Sequence, residues 1–175
     1  LKIPILPKTC IQIIHFLFSQ WIRKNRNGMH GRRLHYLYQG NSKNVVKVAN
    51  NKEAIYFHCD IATNNKADYF ISIHVDGLTN FTSGAHVICN EGDKKGLELA
   101  NDIFNCYTVV NIGKKHPDAR NNVGVLWGKN QTKDKVLIEL GYITPPKDAK
   151  SIYDNMDLIA EQLAQGLVIN INKHF

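Results

Sequence analysis

Two apolar runs of β-forming residues constrain this chain most. They are Phe70-Ile-Ser-Ile-His-Val-Asp-Gly77 and Val136-Leu-Ile-Glu-Leu-Gly-Tyr-Ile143, and each carries one polar residue near its end, His74 in the first and Glu139 in the second. Runs this short and this hydrophobic read as strands buried on both faces. Around them the pattern changes to helical spacing. Lys52 to Asn65 reads as a helix, and Lys94 to Tyr107 places apolar residues at 97, 100, 103 and 104. Asp148 to Tyr153 is helical, and Leu158 to Ile171 carries Ile159, Leu163, Leu167 and Ile171 on one stripe. Lys2–Leu6, Val45–Val48 and His86–Cys89 read as further strands, and Arg32–Tyr38 as the end of a helix stopped by Gly40. Ile11–Trp21 is apolar and open to either reading. Strands alternating with helices predict the α/β class: a single domain with a mainly parallel twisted sheet of about six strands and helices on both faces.

At 175 residues the chain suits one domain with one core. No apolar run is long enough to span a bilayer, and no signal-peptide pattern opens the chain. Cys10, Cys59, Cys89 and Cys106 are widely spaced without a CxxC, which argues against zinc knuckles and redox pairs and favours buried free thiols. The charge is lopsided. Residues 1–52 hold ten Lys or Arg and no acid, whereas residues 53–175 are net −3. Such a basic third could face a polyanion such as nucleic acid, teichoic acid or an anionic membrane, or simply water. Nucleic-acid binding is the poorer reading, because no basic recognition helix or aromatic-interleaved basic sheet exists.

Strands that end in His and Glu can aim both side chains at one rim of a sheet, the usual place for an α/β site. A strand-end imidazole suits a zinc ligand, although a lone His on an apolar strand is more often a satisfied core histidine. Glu139 interrupts an otherwise buried strand. A carboxyl there needs a partner or a raised pKa, and a raised pKa suits a general base. A structural salt bridge is the plain alternative.

Taken together, these segments resemble the zinc-dependent N-acetylmuramoyl-L-alanine amidases of bacterial autolysins and phage endolysins. Ser72-Ile-His-Val-Asp-Gly77 is similar to that family's Ser-Ile-His-Ala-Asn, and Ile138-Glu-Leu-Gly-Tyr-Ile-Thr144 to its Ile-Glu-hydrophobic-Gly-Phe segment. Asp60–Asp68, Ser83-Gly84 and Asn122-Val-Gly-Val-Leu126 match further segments in order, so the likeness runs from about residue 45 to 170. The resemblance implies an enzyme of the wall, secreted or phage-delivered. It would hydrolyse the amide between N-acetylmuramic acid and the L-alanine of the stem peptide, using zinc (Zn2+), with His74 as a metal ligand and Glu139 as the catalytic acid/base. Peptidoglycan is the implied partner.

Residues 1–44 match poorly. The family takes a His after its first strand and a Glu about fourteen residues later, yet Thr9 and the neighbourhood of Arg23 stand there, and no acid precedes Glu53. Three explanations stay open. Substitute ligands come from His15, His30 or His35; the domain is an inactive amidase-like wall-binding module; or this stretch is the product of a shifted reading frame. His58-Cys59 with His74 makes a poor metal cluster, since Cys59 reads as core-facing. His86 lies on a strand that can approach the site, His116 reads as a loop turn, and His174 sits at a terminus.

Overall fold

The computed structural model describes residues 9–13, 51–77, 82–113 and 117–174. They form one mixed sheet with helices on both faces. In chain order the elements are β1 (Thr9–Ile13), α1 (Asn51–Asn64), β2 (Tyr69–Asp76), β3 (His86–Asn90), α2 (Lys94–Cys106), β4 (Asp118–Arg120), β5 (Asp134–Tyr142), α3 (Pro146–Asp154) and α4 (Met156–His174). Their order across the sheet is β1-β2-β5-β3-β4.

The sheet is mixed, with three of its four strand pairings parallel. β1–β2, β2–β5 and β3–β4 pair in parallel, but β3 runs antiparallel to β5. The cause is connection length. Residues 77–85 between β2 and β3 are too few for a helical crossover, so β3 starts at the rim where β2 ends and runs back. Five strands, not six, occur among the described residues. The first strand among the described residues is Thr9–Ile13; the Lys2–Leu6, Arg32–Tyr38 and Val45–Val48 segments lie outside the described residues. β4 is a three-residue edge strand of Asp, Ala and Arg, too short and too polar to leave a sequence signal.

Alternation along the strands sorts the sheet into two faces. One carries Tyr69, Ile71, Val87, Cys89, Val136, Ile138 and Leu140, packed on Leu99, Ala100, Ile103 and Phe104 of α2, Ile152 of α3, and Ile159 and Leu163 of α4. Leu97 is exposed, contrary to its expected place on the buried stripe, and Leu99 fills the core position instead. The other face carries Phe70, Ile88 and Leu137 under Ala62 of α1 and the Val125-Leu126 turn. His74, Glu139 and His86 belong to this second face. Cys59, Cys89 and Cys106 are free thiols.

Helices α2 and α4 cross closely at Gly166. A Cβ placed there would stand 2.5 Å from Ile103 Cα and 2.8 Å from the Asp102 carbonyl oxygen. Below that crossing, buried Asn170 Nδ2 donates to Asp102 Oδ2 at 2.9 Å and Lys173 Nζ to Asp102 Oδ1 at 2.6 Å. Backbone cannot yield as a flexible side chain can, so Gly166→Ala should cost about 1–3 kcal/mol. Urea denaturation checks this, and a midpoint equal to wild type would show that the helices separate freely.

Candidate active site

The strand register assembles the site. His74 on β2 pairs with Glu139 on β5, and Glu139 pairs on its other side with His86 on β3. Directly opposed residues share a face, so imidazole, carboxyl and imidazole form one row across three adjacent strands. Past this row the β2–β5 register slips: Asp76 pairs with Tyr142, which leaves one extra residue in β5. That bulge contains Gly141, whose φ of 147° favours glycine. A side chain there would also press on Asp148 Oδ2 and Val110 Cγ1, both 3.2 Å from the built Cβ.

Asp148 holds the rim together. It is buried on α3, and its carboxylate accepts from Ser83 Oγ at 2.6 Å, the Gly84 amide at 3.0 Å and the Tyr142 amide at 3.2 Å. One side chain thus ties the approach to β3 to the end of β5. Tyr107 adds a second anchor, donating its buried hydroxyl to the Leu140 carbonyl at 2.8 Å, one residue from Glu139. Burial pushes the Tyr107 hydroxyl well above the ordinary phenol range.

Electrostatics differ sharply between the two predicted residues. Burial pushes the Glu139 carboxyl up to about 8, helped by the Asp76 carboxylate and opposed by Arg120. Its Oε2 is buried and has no hydrogen-bond partner. Burial pushes the His74 ring down to about 4, against the pull of Asp76, and nearby His58 lowers it further. At neutral pH His74 is therefore a neutral imidazole with a lone pair to offer. Its Nε2 lies 2.9 Å from the Oγ of Ser72, a wholly buried residue on the same face. Orienting a ring through one nitrogen so that the other can serve a metal is the usual support of a ligating histidine.

His74 fits one place in a zinc site, and the orphaned Glu139 oxygen fits a neighbouring group that carries protons. Among the described residues no set of three His, Cys, Asp or Glu side chains could hold a metal ion. His15, His30 and His35 lie outside the described residues, as does His116. Thr9 opens β1, and the Lys2–Leu6 segment ahead of it lies outside the described residues. The His58-Cys59 cluster does not form: Cys59 is buried and its Sγ donates to the Val125 carbonyl at 3.7 Å. Sequence reasoning gave Ser72, Asp76 and Asp148 no role. The signal for Ser72 was present in its two-residue spacing from His74, which places both on one face of a strand.

Fold and rim together define an α/β domain with a neutral imidazole and a proton-holding carboxyl side by side at the strand ends. Residues 29–168 match the Amidase_3 family, N-acetylmuramoyl-L-alanine amidase, and the chain belongs to that family. The match starts upstream of residue 45, so it covers part of the stretch whose motifs depart from the family. Among solved structures, the chain is similar to the catalytic domain of the CD27L endolysin targeting Clostridia difficile, with 16% identity, 93% of this chain and 97% of that one covered, and a TM-score of 0.67. It is also similar to the catalytic domain of CwlV, an N-acetylmuramoyl-L-alanine amidase from Bacillus (Paenibacillus) polymyxa var. colistinus, with 21% identity, 67% and 65% coverage and a TM-score of 0.57. A third is the amidase AmiC2 of Nostoc punctiforme, with 23% identity, 66% and 64% coverage and a TM-score of 0.57. The chain thus spans just under two thirds of the length of the last two. No curated protein sequence matches it. Among the described residues no helix is long and apolar enough to cross a membrane.

Proposed function

We propose that the chain is a peptidoglycan hydrolase of the cell wall, cleaving the amide between N-acetylmuramic acid and the L-alanine of the stem peptide. The observation that carries this reading is the register pairing of His74 with Glu139, whose carboxyl is pushed up to about 8, in a chain of the amidase family. Glu139 takes a proton from the attacking water and returns it to the leaving alanine nitrogen. A carboxyl raised by burial above its ordinary range, and drawn back toward it by a nearby cation, suits both directions of transfer at neutral pH. His74, neutral and oriented by Ser72, would hold zinc. Zinc, when bound, supplies Lewis-acid polarisation of the amide carbonyl.

His15, His30 and His35 remain the substitute ligands that the sequence offers, and His15 is the nearest of them in sequence to β1, whose Ile13 pairs with Ile73 beside His74. The Lys and Arg residues before Asn51 all lie outside the described residues, and a role for them in holding anionic wall polymer is an extension of the same proposal.

A second reading is a wall-binding module without catalysis. The lack of any Asp or Glu before Glu53 favours it, because the family's carboxylate ligand has no counterpart there. Zinc content and product release separate the two. Wild-type protein dialysed against zinc should retain about one ion per chain by atomic spectroscopy, and His74→Ala should lose at least about tenfold in affinity, the cost of removing one of few ligands. Equal zinc content in both proteins would remove His74 from the site. Zinc retention with no release of L-alanyl amines from muropeptides would favour the binding module.

A further inference from the structure

We propose that His86 is a positioning residue for this hydrolysis: with Asp76 it walls the Glu139 carboxyl on the side away from His74 and fixes the rotamer from which that carboxyl moves protons. The inference rests on the function proposed above. It concerns a side chain to which the sequence reading gave no ligand role.

The first argument is placement. Glu139 has a strand on each side, and the residue opposite it on β3 is His86. In an antiparallel pair, opposed Cβ atoms stand about 4.5–5.5 Å apart and their side chains touch. A carboxyl at position 139 therefore cannot swing toward β3 while the ring is present.

The second argument is fixity. His86 opens a strand at the rim yet is only 7% exposed. Its ring is held from three directions. Nε2 lies 3.7 Å from Asp76 Oδ2, the Gly84 backbone engages the ring by a hydrogen bond, and the Tyr142 ring packs 5.9 Å away, centroid to centroid, at a tilt of 33°. Gly84 and Tyr142 are two of the groups gripped by Asp148. The buried clamp of the rim thus continues into the ring beside Glu139.

The third argument is topology. Asp76 stands on β2 and His86 on β3, with β5 between them. Their contact bridges the strand that carries Glu139. The bulge makes this possible, since it moves Asp76 past the row and opposite Tyr142. Asp76 also acts electrostatically on both Glu139 and His86. The carboxyl at 139 is therefore bounded by His74, His86 and the bridging Asp76. Arg120, paired to Asp118 with Nε 2.8 Å from Oδ2, completes the charge around them.

A purely structural histidine would affect stability and leave the turnover of folded enzyme alone. A positioning residue lowers kcat with KM unchanged, because freedom of the acid/base is felt in the transition state. Steady-state cleavage of a purified muropeptide should be measured for wild type, His86→Leu and His86→Gln, well below each thermal midpoint. Leucine keeps apolar bulk, and glutamine restores a polar group near the ring nitrogen. His86→Leu should lose about tenfold to a hundredfold in kcat, as misplacement of a catalytic group does. Its KM should stay within about twofold of wild type, with zinc content unchanged. His86→Gln should recover part of the loss. A Leu variant with kcat within twofold of wild type would overturn the inference alone. So would equal losses in the Leu and Gln variants that track their unfolded fractions. If Leu does not fold, Gln with wild-type kcat and KM overturns it, and Gln with reduced kcat at unchanged KM supports it. Wild-type protein that releases no L-alanyl amine overturns this inference and the proposed function together.

Discussion

Replacing Glu139 with glutamine should abolish muropeptide cleavage and, in chelated protein at pH 8, raise the thermal midpoint. Both effects come from one carboxyl. Glutamine keeps shape and polarity but cannot shuttle a proton, so kcat should fall by about 10²–10⁴. The stability effect follows from linkage. The Glu139 carboxyl is pushed from 4.5 up to about 8 on folding. Below pH 4.5 both folded and unfolded chains hold the proton, and the group has no differential effect. As pH rises from 4.5 to 8 the unfolded chain releases it while the folded chain keeps it, so wild-type stability declines through this window and levels off above 8. Each pH unit corresponds to about 1.4 kcal/mol, reduced by local relaxation, which gives about 2–4 kcal/mol in favour of the amide at high pH. For a domain of this size that is roughly 5–15 °C in midpoint. The gap should vanish near pH 4.5. It should also narrow when zinc is added, because a nearby cation favours the charged carboxyl. A pH-independent gap, or a variant less stable than wild type at pH 8, would show that burial does not strain this group.

The second large effect lies at Asp148. Asp148→Ala would strip the acceptor from the Ser83 hydroxyl and from the Gly84 and Tyr142 amides, three donors at the rim. Each donor left unsatisfied in a buried setting costs about 1–3 kcal/mol, and the three share one site, so a total of about 3–5 kcal/mol is expected. Denaturation should show a lower urea midpoint with an unchanged slope. Asp148→Asn retains one acceptor oxygen and should lose about half as much. Activity should fall further than stability in the Ala variant, because the released segments bracket Glu139 on β5 and deliver His86 on β3. An unfolding free energy within about 1 kcal/mol of wild type would mean that water replaces the carboxylate at little cost.

Much of the fold was legible because the core-forming segments are strongly periodic. Helices 51–64, 94–106, 146–154 and 156–174 agree with the expected segments to within about two residues at most ends, and β2, β3 and β5 carry the apolar runs that announced them. Sheet direction was less legible. It depends on the length of the 77–85 connection, which a class-level reading of alternating strands and helices passes over. β4 gave no signal because an edge strand of Asp-Ala-Arg buries almost nothing. At the site, His74 and Glu139 stood out because each breaks an apolar run. Asp148 did not, since an acid in the first turn of a helix is ordinary on a surface and its burial emerges only when α3 docks on the bulge at Gly141. His86 was set aside for lack of a ligand role. Its place opposite Glu139 becomes visible only with the antiparallel β3–β5 pairing, the same feature that departs from the expected sheet.

The central claim is that the rim of β2 and β5 performs amide hydrolysis on the stem peptide. Purified peptidoglycan should be digested with the zinc-loaded chain and the soluble products identified by mass spectrometry. The account predicts free stem peptides that begin with an unblocked L-alanine, together with glycan strands carrying intact lactyl groups, and neither product from Glu139→Gln. Products cut only within the glycan or inside the peptide, or L-alanyl peptides released equally by the glutamine variant, would contradict it.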